Sequence, residues 1–325
     1  MKRLASGSGN LLDDAELIDV LAEIKSKAKE VTEKLLESKE KAHEIGEKRE
    51  QYRPVAARGA VLYFCIVEIS LVNWCYNSSL QQFLELFDYG IDASPKAQLV
   101  KDRVSNIIKW MTRRVYRYVN RGLFESHKIL FKLMICLKVL LQSGELTSAD
   151  VSMFLKAGAG IDDRNKKFNW MDNKIWLNVL ALSRHKFGDA STAFFKDFPD
   201  KMTRNEKQWK DFFLVSNEPE DREITKTDYD EKIENDENGN FMHLCLIRCC
   251  REDRTTLATQ QFIRSVLGEE YTNPVTDLIS DNWEESAPNK PILYLLSAGA
   301  DPTNSIDEFA RKKKINTMKV SMGEE

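Results

Sequence analysis

Apolar residues recur along the N-terminal stretch with alternating steps of four and three, at Leu17, Leu21, Ile24, Ala28, Val31, Leu35, Ser38, Ala42 and Ile45. That alternation is the a/d pattern of a coiled coil, sustained over about four heptads. The intervening positions carry Lys and Glu of mixed sign, the signature of a solvated surface. Asp13 stands where an N-cap belongs and Glu16 completes a capping box, with Leu12 and Leu17 placed as a hydrophobic staple. Pro54 is expected to end the helix, because a proline disfavours helical geometry in the residue before it. A helix over 14–51 would be ~55 Å long at ~1.5 Å per residue. Such a helix needs a partner to cover its stripe. No other stretch repeats the seam, so the mate is expected in another chain or upstream of Met1.

The pattern then turns to shorter amphipathic segments. Helices are expected over 58–76 and 79–90, joined at Asn73–Ser79, and over 98–121, 126–143, 147–157 and 168–185, with two shorter pieces near 190–198 and 204–214. Residues 216–240 are acidic and loop-like, with Pro219 and Gly239. Helices resume over 241–251, 255–267 and 274–286. Ile292 to Leu296 reads as a buried strand, followed by a turn, a helix over 305–313 and a second strand at Lys319 to Met322. Strand, glycine turn, helix and strand are the opening of a βαβ sheet domain. The expected fold class is therefore mostly α: a long coiled-coil helix, a helical bundle, then the beginning of an incomplete α/β domain with a P-loop-like turn.

Composition agrees with a folded, mainly helical chain. Among 325 residues there are 14 glycines and 8 prolines, the charged fraction is 30%, and 48 basic against 51 acidic residues leave a net charge of −3. That balance supplies no field favouring nucleic acid or membrane as a partner. Residues 1–16 lack the apolar core of a signal peptide. Ala60 to Val72 is too short to span a bilayer and is interrupted by Glu68. The six cysteines fall in helix-like apolar stretches without a disulfide framework, as reduced thiols do.

Candidate chemistry is sparse. The turn after Leu296 has the position of a P-loop, where glycine amides, a Lys and a Ser/Thr would hold phosphate and magnesium. Here Ser297, Gly299, Asp301, Pro302 and Thr303 occupy it. The Gly-Lys-Ser/Thr end is missing, Asp301 brings negative charge and Pro302 removes an amide donor. The position is expected to be degenerate, with no cofactor bound by this chain. His243, Cys245, Cys249 and Cys250 do not have zinc-site spacing, and small core residues are the expected account. Arg113, Arg114, Arg117 and Arg121, interleaved with Tyr116 and Tyr118, could meet nucleic acid or an acidic partner, but at this spacing they more often form one charged helix face. No catalytic residues and no metal ligands are identified.

The motifs nonetheless carry a resemblance. Leu11-Leu12-Asp13-Asp14-Ala15-Glu16-Leu17-Ile18 opening a coil resembles the second arm of the strut, or buttress, of dynein heavy chain motors. Tyr52-Arg53-Pro54-Val55-Ala56 with Leu62-Tyr63-Phe64 is similar to the return from that arm into the fifth AAA+ module. Ser79-Leu80 with Phe83, Leu84, Leu86 and Phe87, and Phe168-Asn169-Trp170, continue it. Arg204-Asn205-Glu206, Arg251 with Asp253-Arg254, and Trp283-Glu284-Glu285-Ser286 resemble the approach to the sixth module. Leu295-Leu296-Ser297, Asp301-Pro302-Thr303 and Ser305-Ile306 resemble its start. Val72-Asn73-Trp74 and Val320-Ser321-Met322-Gly323 look more like the axonemal, outer-arm type.

This resemblance implies a domain order of 1–54 strut helix, 55–215 helical domain of the fifth module, 216–240 acidic linker and 241–325 truncated N-terminal part of the sixth. It implies a non-catalytic segment of a microtubule-stimulated ATPase, relaying ring movements to the microtubule-binding stalk in ciliary, microtubule-based movement. ATP and magnesium would belong to hydrolysing modules absent from this chain. The implied partners are the first strut helix, the stalk coiled coil, neighbouring AAA+ modules and, indirectly, the microtubule. The implied location is the cytoplasm and the cytoskeleton of the ciliary axoneme. The alternative is a free-standing coiled-coil scaffold derived from a dynein heavy chain.

Overall fold

The computed structural model describes residues 15–162, 167–214, 239–272, 278–289, 292–294, 299 and 301–320. These residues are mostly helical. The chain divides into two compact units, Met1–Ala60 with Leu84–Thr112, and Val61–Phe83 with Arg113–Glu325.

The first unit contains helix α1 (Ala15–Gln51), the start of α2 (Arg53–Ile69), and the adjoining parts of α3 (Leu80–Ala93) and α4 (Val100–Arg121). Pro54 does not simply stop a helix. Only Tyr52 separates α1 from α2, and Pro54 lies in the first turn of α2. There its missing N–H is no loss, because first-turn amides have no partner within the helix. Helix contact here is close: a Cβ on Gly59 would sit 2.6 Å from the Phe87 ring, and one on Gly90 would sit 3.3 Å from the Met111 backbone. Arg103 reaches back to the end of α3. Its guanidinium donates to the carbonyl oxygens of Ile91 at 2.8 Å, Pro95 at 3.0 Å and Ser94 at 3.1 Å. Those carbonyls have no helical donors, so the buried arginine supplies them.

The second unit holds the larger core. The 3-10 turn Trp74–Tyr76 interrupts the expected helix over 58–76; Asn73 caps it by accepting from the Cys75 amide at 2.9 Å. Tyr76 Oη accepts from the Phe124 amide at 3.1 Å and lies 2.7 Å from His127 Nδ1, at the start of α5 (Glu125–Ser143). Helices α6 (Ser148–Lys156) and α7 (Asn173–Arg184) follow. The piece expected near 190–198 forms turns instead; α8 begins at Phe198 with Pro199 in its first turn and ends at Arg204, and α9 runs Glu206–Leu214. Helix α10 (Gly239–Cys250) packs on α7 and on α11 (Thr255–Leu267), which in turn packs on α5. Aromatic rings make a continuous chain through this core, from Phe262 to Phe241, Phe187, Phe195, Phe198 and Trp209, with centroids 4.9–6.4 Å apart.

Neither expected strand appears among the described residues. Ile292–Tyr294 and Lys319–Val320 have no strand geometry, Leu293 is 84% exposed, and there is no β-strand among the described residues. Leu295, Leu296, Ser321 and Met322 lie outside them, as does most of the 216–240 segment. A strand is held by neighbours that take up its amides and carbonyls and cover its faces, and no partner strand for these residues is found among the described ones. Helices α12 (Leu278–Glu285) and α13 (Thr303–Lys313) pack together instead, with Trp283 against Phe309.

Candidate functional site

Helix α1 carries the seam as a continuous exposed stripe. Leu21, Ile24, Val31, Leu35 and Ile45 are 49–66% exposed, and Ala28, Ser38 and Ala42 are exposed too. Asp13 and the side chains of Glu16 and Leu17 lie outside the described residues. Among the described residues of the first unit, nothing covers the stripe. The helix is held by its own backbone and by ion pairs, Glu23–Lys27 at 2.5 Å, Glu30–Lys34 at 2.7 Å, Glu37–Lys41 at 2.6 Å and Glu44–Lys48 at 2.8 Å. Each joins residues four apart with the acid N-terminal, the better orientation, and being exposed to solvent each contributes little. Covering the five large apolar side chains would release about 1.5 kcal/mol or more apiece. The stripe is therefore the strongest unsatisfied feature of the helix.

The P-loop-like turn is closed on itself. Gly299 has φ +85°, and Asp301 Oδ1 accepts both the Thr303 amide, at 2.9 Å, and the Thr303 hydroxyl. Those bonds, first from the hydroxyl and then from the amide, hold the Asp301 carboxyl below its ordinary value. A carboxylate thus occupies the amide that would face a phosphate at the start of α13. Pro302 has no amide to offer. Ser297 lies outside the described residues.

The other candidates are absorbed by packing. Cys245, Cys249 and Cys250 are buried free thiols, and among the described residues no group of His, Cys, Asp and Glu gathers as metal ligands. Arg113 pairs with Glu270 at 3.3 Å, and Arg121 donates to Asn282 at 2.9 Å while lying over the Tyr118 ring. Tyr116 is buried against Tyr271. This basic face ties the C-terminal part of α4, residues 113–121, to its neighbours within the second unit.

Against known proteins, the chain is 42% identical over 328 residues to the dynein gamma chain of the flagellar outer arm of Chlamydomonas reinhardtii. It is 40% identical over 325 residues to dynein axonemal heavy chain 5 of Mus musculus, and 37% over 325 residues to dynein axonemal heavy chain 8 of Homo sapiens. The chain is homologous to axonemal dynein heavy chains. Each of these matches takes in 99% of this chain and 7% of the relative, so the chain spans a small part of the dynein heavy chains it matches. No family model matches it.

Two of the motifs that carry the dynein resemblance meet in the second unit. Trp170 of Phe168-Asn169-Trp170 donates its indole N–H to Glu206 of Arg204-Asn205-Glu206 at 2.8 Å, and packs on Phe213. Arg251 grips Asp253 with two bonds of 2.9 and 3.0 Å and donates to the Phe212 carbonyl, near the end of α9, at 2.8 Å. Sequence reasoning missed a further buried network. Asp150 accepts from the Thr147 amide and hydroxyl, each at 2.7 Å, and from the Gly188 amide at 3.2 Å, with His185 Nε2 at 2.7 Å. Thr147 and Asp150 have capping-box spacing, which was a usable signal; the approach of His185 and Gly188 had none.

Proposed function

We propose that this chain is a non-hydrolysing, force-relaying segment of an axonemal dynein motor, at work in microtubule-based movement in the cytoskeleton of the cilium. In this reading α1 is the second strut helix. Residues 55–215 are the helical domain of the fifth AAA+ module, 216–240 an acidic connection, and 241–325 the N-terminal part of the sixth. The partners are the first strut helix, the stalk coiled coil and the neighbouring modules, with the microtubule reached through them.

The observation that carries the reading is the open seam, Leu21 to Ile45, in a chain similar along 99% of its length to axonemal dynein heavy chains. A helix ~55 Å long, once paired, is stiff enough to act as a lever. Short helices packed without gaps pass displacements on as rigid pieces. The carboxylate and proline at Asp301 and Pro302 favour a turn that keeps its place in the fold without handling nucleotide. ATP and magnesium then act elsewhere in the motor.

The test is made in a complete motor. Leu21→Asp or Leu35→Asp puts a charge into the paired seam and should loosen the strut. Basal ATP turnover should persist, while its stimulation by microtubules and gliding speed fall. Normal stimulation and gliding in both variants would sink the relay role.

A further inference from the structure

The residues flanking the seam carry a single sign of charge. With Leu21, Ala28, Leu35 and Ala42 as a and Ile24, Val31, Ser38 and Ile45 as d, the e and g positions between residues 25 and 48 hold Lys25, Lys27, Lys34, Lys39, Lys41 and Lys48, with neutral Thr32 and Gly46. No acid occupies any of them. The acids lie outside, at c (Glu23, Glu30, Glu37, Glu44) and at f on the far face. Positions e and g are those that meet the partner helix across a coiled-coil seam and set its identity.

The local ion pairs do not cancel this bias. The lysines at g each reach back to a glutamate at c, but their side chains stay 64–72% exposed. Such pairs exchange partners at little cost. Lys25 and Lys39 have no acid three or four residues away on either side, and neither makes an ion pair among the described residues. A second copy of the chain would answer badly. In a parallel pair Lys34 would face Lys39, and in an antiparallel pair g lysines would face g lysines. In neither orientation would a carboxylate meet a lysine across the seam.

We infer that the occupant of the α1 seam is a different helix, one carrying acidic residues at its own e and g positions, so that charge selects the mate and excludes self-pairing. This rests on the reading of α1 as one half of a coiled coil, and adds to it the chemistry of the other half.

The test uses the whole 325-residue chain and two ~35-residue probe peptides with the same Leu/Ile seam. One probe has Glu at every e and g position, the other Lys. Binding is followed by fluorescence anisotropy at ~0.05 M and ~0.5 M salt, either side of the range where exposed charges are screened. The acidic probe should bind about tenfold or more tightly at low salt, with the gap narrowing at high salt. The triple variant Lys27→Glu, Lys34→Glu, Lys41→Glu should abolish the preference, because Lys25, Lys39 and Lys48 then balance the three glutamates, and Leu35→Asp should weaken both probes. Equal affinity of the parent chain for both probes would overturn the charge rule and leave the coiled-coil reading standing. If neither binds a folded chain, the coiled-coil reading fails as well. Self-association of the chain that shuts out both probes would make the occupant a second copy, and overturn the inference.

Discussion

Asp150 shows what a single buried charge requires. Burial pushes its carboxyl pKa up, but the hydrogen bonds from Thr147, His185 and Gly188 outweigh that and hold it below the ordinary 3.8. The folded state therefore binds its proton less readily than the unfolded chain does. The stability it contributes is present above 3.8 and drains away as the pH falls through the lower folded value. Asp150→Asn keeps the shape but turns an N–H₂ group toward donors, and should cost about 3 kcal/mol in urea unfolding near neutral pH. The difference from the parent chain should shrink as the pH is lowered toward 3. A constant difference across that range would mean that Asp150 is not the group whose ionisation matters. Half of this network was legible: Thr147 and Asp150 announce a helix start. His185 and Gly188 reach the same carboxylate only because the chain turns back after α7, which no local pattern specifies.

Elements formed where the local signals agreed, and packed where a small residue allowed. Helix α11 runs Thr255–Leu267, as its periodicity predicts, and α1 keeps the length of its seam. The strand expected at Ile292–Leu296 rested on apolar residues alone, and a run of four or five such residues says nothing about the neighbours that would pair with it. Gly158 marks the closest approach among the described glycines. A Cβ there would lie 2.4–2.6 Å from the α7 backbone at Leu177 and Asn178. Its amide donates to Asn178 Oδ1 at 3.0 Å, and Asn178 Nδ2 donates to the Cys249 carbonyl at 3.3 Å, so one asparagine ties the loop, α7 and α10 together. Gly158→Ala has no flexible side chain to displace, only backbone. It should destabilise the chain by about 3 kcal/mol or more, beyond the usual cost of a methyl in a helix or loop. Gly144→Ala serves as the control: it meets open space and carries only the strain of φ +83°. Similar losses for both would remove the close approach as the cause. In the sequence Gly158 reads only as punctuation; its role follows from which helix it faces.

At the scale of the molecule, the sorting of thiols reports how the core is closed. Five of the six cysteines are buried and Cys75 alone is exposed. Burial pushes Cys65 and Cys249 up to about 12, with Glu68 adding to the effect at Cys65 and Lys138 and Arg248 opposing it at the two sites. Cys245 and Cys250 are displaced upward for the same reason, each with a neighbouring cysteine adding to it. A thiol reacts as its thiolate, so these groups are protected twice, by access and by protonation. The buried cysteines lie on α2, α5 and α10, and in the second unit they sample the helices that share its core. Alkylation of the native chain by iodoacetamide at about pH 8 should therefore add one adduct, at Cys75, while the remaining five react only as fast as the core opens. In denaturant all six should react together. Raising the urea concentration toward the unfolding midpoint should speed the five as a group if they belong to one cooperative core. Early reaction confined to Cys245, Cys249 and Cys250 would instead show that α10 separates from α7 and α11 before the rest unfolds, and the core described here would then have to be divided at that helix.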